Sequence, residues 1–346
     1  MNSSTLLERE AREAPACVAR LIETGRPVID EIARRCRERP PKFAMTVARG
    51  SSNHAATYGR YLIESRLGLP STAAMPSVVT LYGAHLRLAD ALTIGVSQSG
   101  ASPDLTAVVA DARGAGAQTI AIVNQTDSPL ARAAQLIVPL AVGEEAGIAA
   151  TKSCIAQMAA FALLVARLAD DAALQSACHA LPAVLEEAAA RDWTAAVAPL
   201  AQARHLYVVA RGAGLGVAGE WALKCKETAG LFAEAVSAAE LLHGPVAMVG
   251  RDFPLLLLAL ADETQAAVLG VARRLGAHGA QIIVASSSPA ALAHGAVSLP
   301  LPPAPHPALA PIVAAQAFYP LLARLAAARG HDPDRPTNLV KITQTL

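Results

Sequence analysis

The chain has 346 residues, 53% apolar and 16% charged, with 29 Lys and Arg against 28 Asp and Glu for a net charge of +1. That length suggests two domains of about 150–170 residues each. The near-neutral balance and an aromatic content of only 3% exclude the basic stripe and stacking platform of a nucleic-acid binder. Cys17, Cys36, Cys154, Cys178 and Cys225 show no close pairing. They read as reduced thiols in a cytoplasmic protein, neither a disulfide frame nor a zinc site. The histidines form no His-x-x-x-His pair, so no metal site is visible. Mean hydropathy is +0.37, but the uncharged run Gly295 to Ala323 is interrupted by seven prolines, and no membrane span is expected. Met1 to Arg20 is charged and helical in pattern, without the apolar core of a signal peptide.

In chain order, Leu6 to Arg39 patterns as a helix. FAMTVARG (Phe43 to Gly50) is a β-type run ending in glycine, followed by the helical SSNHAATYGRYLIES. LTIGV (Leu92 to Val96) reads as a buried strand, and a helix separates it from GAQTIAIVN at 116–124. Helices are expected over Ala150 to Leu168 and Leu174 to Leu200. The order then repeats: LYVVARG (Leu206 to Gly212), the helical AGLGVAGEWALKCKE, FPLLLLAL (Phe253 to Leu260), a helix, and GAQIIVASS at 279–287. The two Ala-Arg-Gly triplets, at Ala48 and Ala210, lie 162 residues apart. A proline-rich loop, Pro300 to Pro311, precedes a last helix over 312–328. Apolar strands alternating with helices imply parallel sheets covered on both faces. The expected fold is α/β: two tandem, duplicated domains, each a parallel-sheet three-layer αβα sandwich. The boundaries are 1–40 for an N-terminal helical segment, 41–195 and 196–335 for the two domains, and 336–346 for a C-terminal tail.

Ligands of open parallel sheets bind beyond the carboxyl ends of the strands. There the first half carries Ser97-Gln98-Ser99-Gly100-Ala101-Ser102-Pro103 directly before a helix. Backbone N–H groups, a helix dipole and serine hydroxyls suit a phosphate dianion. An ordinary serine N-cap followed by proline gives the same pattern. Ser51 and Ser52 form a second hydroxyl cluster at the preceding strand end. In the second half, Gly214-x-Gly216-x-x-Gly219 is a weak dinucleotide fingerprint, which leaves a nicotinamide enzyme as one alternative. The helix it opens carries Glu220, Lys224 and Glu227 on one face. Either a proton-exchanging carboxylate and amine in a cleft or a solvated salt-bridged face accounts for that spacing. Only five of the 29 basic residues are lysines, and lysine, unlike arginine, can act as an amine nucleophile or base. His243, before Gly244-Pro245, falls on a turn where its imidazole is accessible for proton transfer.

Five motifs in order carry a resemblance: SQSG at 97–100, Gly147-Ile148-Ala149-Ala150-Thr151-Lys152, Glu220-x-x-x-Lys224-x-Lys226-Glu227, AELLHGP at 239–245 and NLVK at 338–341. Together they resemble the sugar isomerase (SIS) family, most closely the isomerase half of glutamine–fructose-6-phosphate aminotransferase. The resemblance implies that Ser51, Ser52, Ser97, Gln98, Ser99 and Ser102 hold a sugar 6-phosphate, with Ile148 and Thr151 in the same binding set. It implies that Glu227 moves a proton between C1 and C2 and that Lys224 stabilises the enediol-type intermediate. His243 would help to open the ring, reaching into the partner's site of a homodimer with shared active sites. Lys341, on a tail reaching the active site, would sit at the carbonyl, where the synthase forms a Schiff base. No metal or organic cofactor is implied.

Two departures matter. The chain opens Met-Asn-Ser-Ser close before its first strand, so the expectation is a protein without the glutaminase domain. Residues 101–104 read Ala-Ser-Pro-Asp, where the synthase carries a Glu-Thr pair. Both the stand-alone arrangement and the Lys-Ile-Thr-Gln-Thr-Leu ending are similar to the second type of glucosamine-6-phosphate deaminase. The leading expectation is therefore conversion of glucosamine 6-phosphate to fructose 6-phosphate and ammonia. Related enzymes acting on galactosamine 6-phosphate or fructosamine 6-phosphate, an ammonia-dependent synthase, and a non-catalytic sugar-phosphate-binding regulator remain as alternatives.

Overall fold

The computed structural model describes residues 4–341; positions 1–3 and 342–346, including most of the Lys-Ile-Thr-Gln-Thr-Leu ending, lie outside the described residues. A long helix, α1 (Leu6–Glu38), comes first. It is followed by β1 (Phe43–Val47), α2 (Gly50–Leu67), β2 (Ser71–Ala73), α3 (Pro76–Thr80), β3 (Ala91–Ser97), α4 (Pro103–Gly114), β4 (Gln118–Val123), α5 (Pro129–Ala133), β5 (Leu136–Pro139) and α6 (Lys152–Leu168). Helices α7 (Ala172–Ala189) and α8 (Val197–Gln202) lead into the second half. This comprises β6 (His205–Ala210), α9 (Gly214–Ala229), β7 (Phe232–Ser237), β8 (Pro254–Leu258), α10 (Gln265–Gly276), β9 (Gln281–Ser286), α11 (Pro289–Leu292), β10 (Val297–Pro300) and α12 (Ala310–Ala328).

The two sheets run β2-β1-β3-β4-β5 and β7-β6-β8-β9-β10, with every neighbouring pair parallel. The second order is the first with each strand number raised by five, so the sequence repeat is a repeat of topology. One compact unit holds the first sheet with residues 16–145, 152–179 and 340–341; the other holds the second sheet with 4–15, 146–151 and 180–339. All seven residues of β3 and all five of β8 are buried, as continuous apolar strands between two helical layers must be. Val47, Leu105, Val109 and Val123 are among the core residues of the first unit. Val209, Leu255, Leu257 and Val284 play that part in the second.

The three inner strands of each half match the sequence reading. The structure adds edge strands β2, β5, β7 and β10; β5 is four apolar residues, too short to show a period, and the other three are short and mixed in polarity. The helix expected over Leu174 to Leu200 stops at Ala189. Asp192 accepts the Thr194 N–H at 3.0 Å in a local turn. The buried Trp193 indole donates to the Pro300 carbonyl at 3.1 Å and meets Trp221 edge-on. The prolines at 300–305 break the apolar run near the C-terminus as expected, between β10 and the last helix, whereas Pro311 and Pro320 lie within α12. Pro307–Ala328 is long and apolar enough to cross a membrane by length and composition, yet 94% of its window is buried inside the fold. Pro311 sits in the first turn of α12, where no N–H is needed. The stretch is a core helix of its unit.

Helices α2 and α6 approach closely because Gly59 faces the Phe161 ring. A Cβ at Gly59 would lie 2.3 Å from that ring. Gly59→Ala should therefore destabilise the protein by about 1–3 kcal/mol. Urea unfolding measures this, and Phe161→Leu in the same chain should recover part of the loss.

All five cysteines are buried and none is in a disulfide. Burial pushes the Cys36 thiol up to about 11 and those of Cys178 and Cys225 up to about 12. A thiol whose folded pKa is raised favours the fold fully below its ordinary value near 9. That contribution is lost as pH climbs from there to about 12. Native protein at pH 8 should thus label slowly with a disulfide reagent, unfolded protein should label at all five sites, and stability should fall above pH 9.

Candidate active site

In the first sheet the strand order reverses between β1 and β3. The chain leaves β1 through α2 toward one edge and leaves β3 through α4 toward the other. The parallel neighbours β1 and β3 thus open a crevice at their carboxyl ends, where ligands of such sheets bind. Ser51 and Ser52 lie in the first turn of α2, and Ser97 to Ser102 link β3 to α4. The latter loop is held from outside. The Gln98 carbonyl accepts the Asn124 N–H at 3.2 Å and the Gly100 carbonyl accepts the Leu130 N–H at 3.1 Å. Gly100 has φ +63°, and a Cβ there would meet the Ser128 hydroxyl at 2.1 Å. Only glycine fits that turn.

The hydroxyls share a hydrogen-bonding polarity. Ser97 Oγ accepts the Gly100 N–H at 3.0 Å, Ser99 Oγ the Ala101 N–H at 3.3 Å, and Ser52 Oγ the Gln157 Nε2–H at 2.9 Å. Each oxygen has a lone pair occupied from within the protein, so its own proton remains to be donated. Ser102 is the N-cap residue of α4 but makes no side-chain capping bond. Charge-bearing acceptors such as phosphate suit this set of donors. Two residues the sequence did not single out brace it. Arg49, of the first Ala-Arg-Gly triplet, donates through Nε (3.0 Å) and Nη2 (2.8 Å) to one oxygen of the wholly buried Asp104. The departure at 101–104 thereby places a carboxylate that ties the turn before α2 to the first turn of α4.

In the second unit, α9 presents Glu220, Lys224 and Glu227 along one face. The solvated-face interpretation fails here, because Glu220 and Lys224 are each only 1% exposed. Lys224 Nζ lies 2.6 Å from Glu227 Oε2 and 3.6 Å from Glu220 Oε1. Glu220 Oε1 also accepts from the Tyr319 hydroxyl at 3.4 Å. Trp221 stacks on Phe318 at 4.6 Å between ring centroids, fixing α9 against α12. Glu227, 22% exposed, is the member of the cluster open to solvent. The arrangement is a buried ammonium held between two carboxylates, one of them accessible. The Gly214 fingerprint opens this helix; a Cβ at Gly214 would lie 3.4–3.6 Å from the Ala210, Leu258 and Leu260 side chains.

His243 closes a short 3₁₀ turn (Glu240–His243) before Gly244, whose φ is 148°, and is exposed. Ile148 and Thr151 belong to the second unit, whereas the serines belong to the first. Thr151 is buried, and its carbonyl accepts from the Tyr319 hydroxyl at 3.5 Å. Lys341 groups with the first unit and has a fixed partner there: Glu145 Oε2, at 3.4 Å. Glu145 is itself buried and takes both the N–H (3.0 Å) and the hydroxyl (2.7 Å) of Ser153. Glu145 and Gln157 were not singled out by sequence reasoning, although both flank the Gly147–Lys152 motif. Upstream, Asp334 accepts the Leu6 and Leu7 N–H groups at 2.7 and 2.9 Å and so caps α1.

Two stretches, residues 40–167 and 199–328, match the SIS domain family. The chain belongs to the SIS domain family. This tandem SIS protein is 33% identical over 315 residues to glutamine–fructose-6-phosphate aminotransferase (isomerizing) of Aeropyrum pernix, a match covering 86% of this chain and 50% of that protein. It spans about half the length of the curated relatives it matches. Among solved structures, a candidate phosphosugar isomerase from Silicibacter pomeroyi DSS-3 superposes with a TM-score of 0.89 at 37% identity, over 96% of this chain and all of that one. Glucosamine-6-phosphate deaminase from Thermotoga maritima superposes with a TM-score of 0.75 at 20% identity, over 99% of this SIS chain and 100% of that chain. The latter likeness is one of fold alone.

Proposed function

We propose that the protein is a phosphosugar isomerase of the kind found in the isomerising aminotransferases, and specifically an amino-sugar-phosphate deaminase that converts glucosamine 6-phosphate to fructose 6-phosphate and ammonia. The observation that carries this reading is the Glu220–Lys224–Glu227 cluster, in which a buried ammonium contacts an accessible carboxylate at 2.6 Å. Aldose–ketose chemistry needs a carboxylate to carry one proton between adjacent carbons and a fixed positive charge beside the developing enolate. In this reading the hydroxyls of Ser51, Ser52, Ser97, Ser99 and Ser102, with Gln98, hold the 6-phosphate, and Ile148 and Thr151 complete the binding set. The exposed His243 imidazole assists ring opening. Glu227 removes the C2 proton of the open-chain amino aldehyde and returns a proton to C1, leaving an imine at C2. Water adds to that imine, and ammonia departs as the C2 carbonyl of fructose 6-phosphate forms. Lys224 offsets negative charge on the intermediate, and Lys341 serves at the carbonyl. The steps call on no metal or organic cofactor.

The same reading makes the protein a cytoplasmic homodimer with His243 serving the partner's site. The buried thiols, none in a disulfide, suit a reducing compartment, and Met248, in the turn following His243, is an exposed apolar side chain that a second copy would cover. Sedimentation velocity reads the dimer, and fractionation of expressing cells reads the location.

The test is ammonia release from glucosamine 6-phosphate, galactosamine 6-phosphate and fructosamine 6-phosphate, coupled to detection of fructose 6-phosphate. Release from the first is expected. Release only from another of the three keeps the chemistry and changes the substrate. Thermal stabilisation by these sugars without release from any of them would replace the enzyme by a sugar-phosphate-binding regulator.

A further inference from the structure

We infer that Gln157 is a positioning residue of the phosphate subsite, whose buried amide sets the direction in which the Ser52 hydroxyl donates. The inference rests on reading Ser52 as a phosphate donor. Ser97 and Ser99 have their lone pairs occupied by backbone N–H groups of their own turn. Ser52 sits inside the first turn of α2, and its donor comes from another element, the Gln157 amide of α6 at 2.9 Å. Gln157 is only 1% exposed. It shares a face of α6 with Phe161, one turn on, whose ring packs on Gly59 of α2. The glycine contact thus sets the helix separation at which the amide reaches the serine.

Gln157 is an uneconomical choice for packing alone. Its Oε1 is buried and has no hydrogen-bond partner among the described residues, and burying an amide so incompletely bonded is unfavourable compared with an apolar side chain of similar size. Cys154, Met158 and Phe161 around it on α6 are apolar and buried. What an apolar residue there cannot supply is the N–H that occupies the Ser52 lone pair. With that N–H in place, the hydroxyl proton is turned away from the helix interface, toward an acceptor outside it. A carboxylate at the same position would do the reverse and draw the Ser52 proton inward.

The experiment measures the affinity of inorganic phosphate and of fructose 6-phosphate for the full chain by titration calorimetry, beside steady-state kinetics. Gln157→Leu should weaken both ligands by about 10- to 150-fold, the worth of one hydrogen bond to a charged group. Its thermal midpoint should be equal to or above that of the parent, and the kinetic loss should fall on KM and not on kcat. Gln157→Glu should weaken binding further. Ser52→Ala should match Gln157→Leu, and the double variant should be no weaker than Ser52→Ala alone. If Gln157→Leu folds poorly, Gln157→Asn withdraws the amide from Ser52 while keeping its polarity, and the same loss is expected. Undiminished affinity in the Gln157 variants beside a weakened Ser52→Ala, or losses that multiply in the double variant, would overturn the inference. If Ser52→Ala binds phosphate as tightly as the parent, it is the phosphate reading itself that fails, and Gln157 falls with it.

Discussion

Glu227→Gln is expected to lower turnover of the amino-sugar phosphate by about 10²–10⁴-fold, the usual worth of a general base. Gln keeps the size of Glu and still offers an oxygen to Lys224 Nζ, so the 2.6 Å contact has a successor and the fold is not perturbed. The affinity for fructose 6-phosphate should change by no more than about threefold, because a neutral amide preserves a hydrogen bond of ordinary strength. A fall confined to kcat identifies the proton carrier. Activity retained at the parent level would show that the base lies elsewhere. A parallel measurement, exchange of the C1 hydrogens of fructose 6-phosphate with solvent deuterium, isolates the proton-transfer step from imine hydrolysis and should fall by the same factor.

The second large effect concerns stability. Lys224 is nearly inaccessible and neutralises two carboxylates, one of which, Glu220, is equally inaccessible. Lys224→Met keeps most of the volume but leaves a buried charge uncompensated, which should cost about 3–5 kcal/mol. Adding Glu220→Gln removes that charge and should recover a large part of the loss, since a buried ion pair replaced on both sides is far cheaper than one broken on one side. Urea unfolding of the parent, the single variant and the double variant measures this. A Lys224→Met protein as stable as the parent would mean that the lysine does not neutralise Glu220. Activity should be absent from both variants, because the recovered stability does not restore the cation beside Glu227.

The repeated topology gives these two experiments a common setting. Corresponding strand ends have diverged in content. Where the first half has Ser97-Gln98-Ser99-Gly100 after β3, the second has Ala259, Leu260, Ala261 and Asp262 after β8, with Asp262 turned to the backbone and hydroxyl of Thr264. Where the second half has Glu220, Lys224 and Glu227 in the helix after its first strand, the same 162-residue offset places Tyr58, Leu62 and Ser65 in the first. The hydroxyl set therefore occurs in one copy and the carboxylate–ammonium set in the other.

The sequence by itself determined the α/β class, the duplication, the inner strands and the motif positions. Those depend on local patterns: continuous apolar runs, glycine at turns and residue types at short spacing. The edge strands were not legible: β5 is only four residues long, and β2, β7 and β10 are three to six residues of mixed polarity. The break after Ala189 was not legible either, because it depends on Trp193 finding the Pro300 carbonyl more than a hundred residues away. At the site, sequence spacing left the Glu220–Lys224–Glu227 face undecided between a solvated helix surface and a proton-transfer cluster. Burial excludes the solvated surface, and burial is a property of what packs over a helix, here Phe318 and Tyr319 of α12. For the same reason Arg49–Asp104, Gln157–Ser52 and Glu145–Lys341 were invisible in the sequence, since their partners are separated by 55, 105 and 196 residues. A linear pattern reports which side chains share a helix face. Which distant group meets that face, and hence whether a charge is paired, a hydroxyl proton directed or a tail lysine anchored, is fixed only when the sheet and helices of each unit pack together.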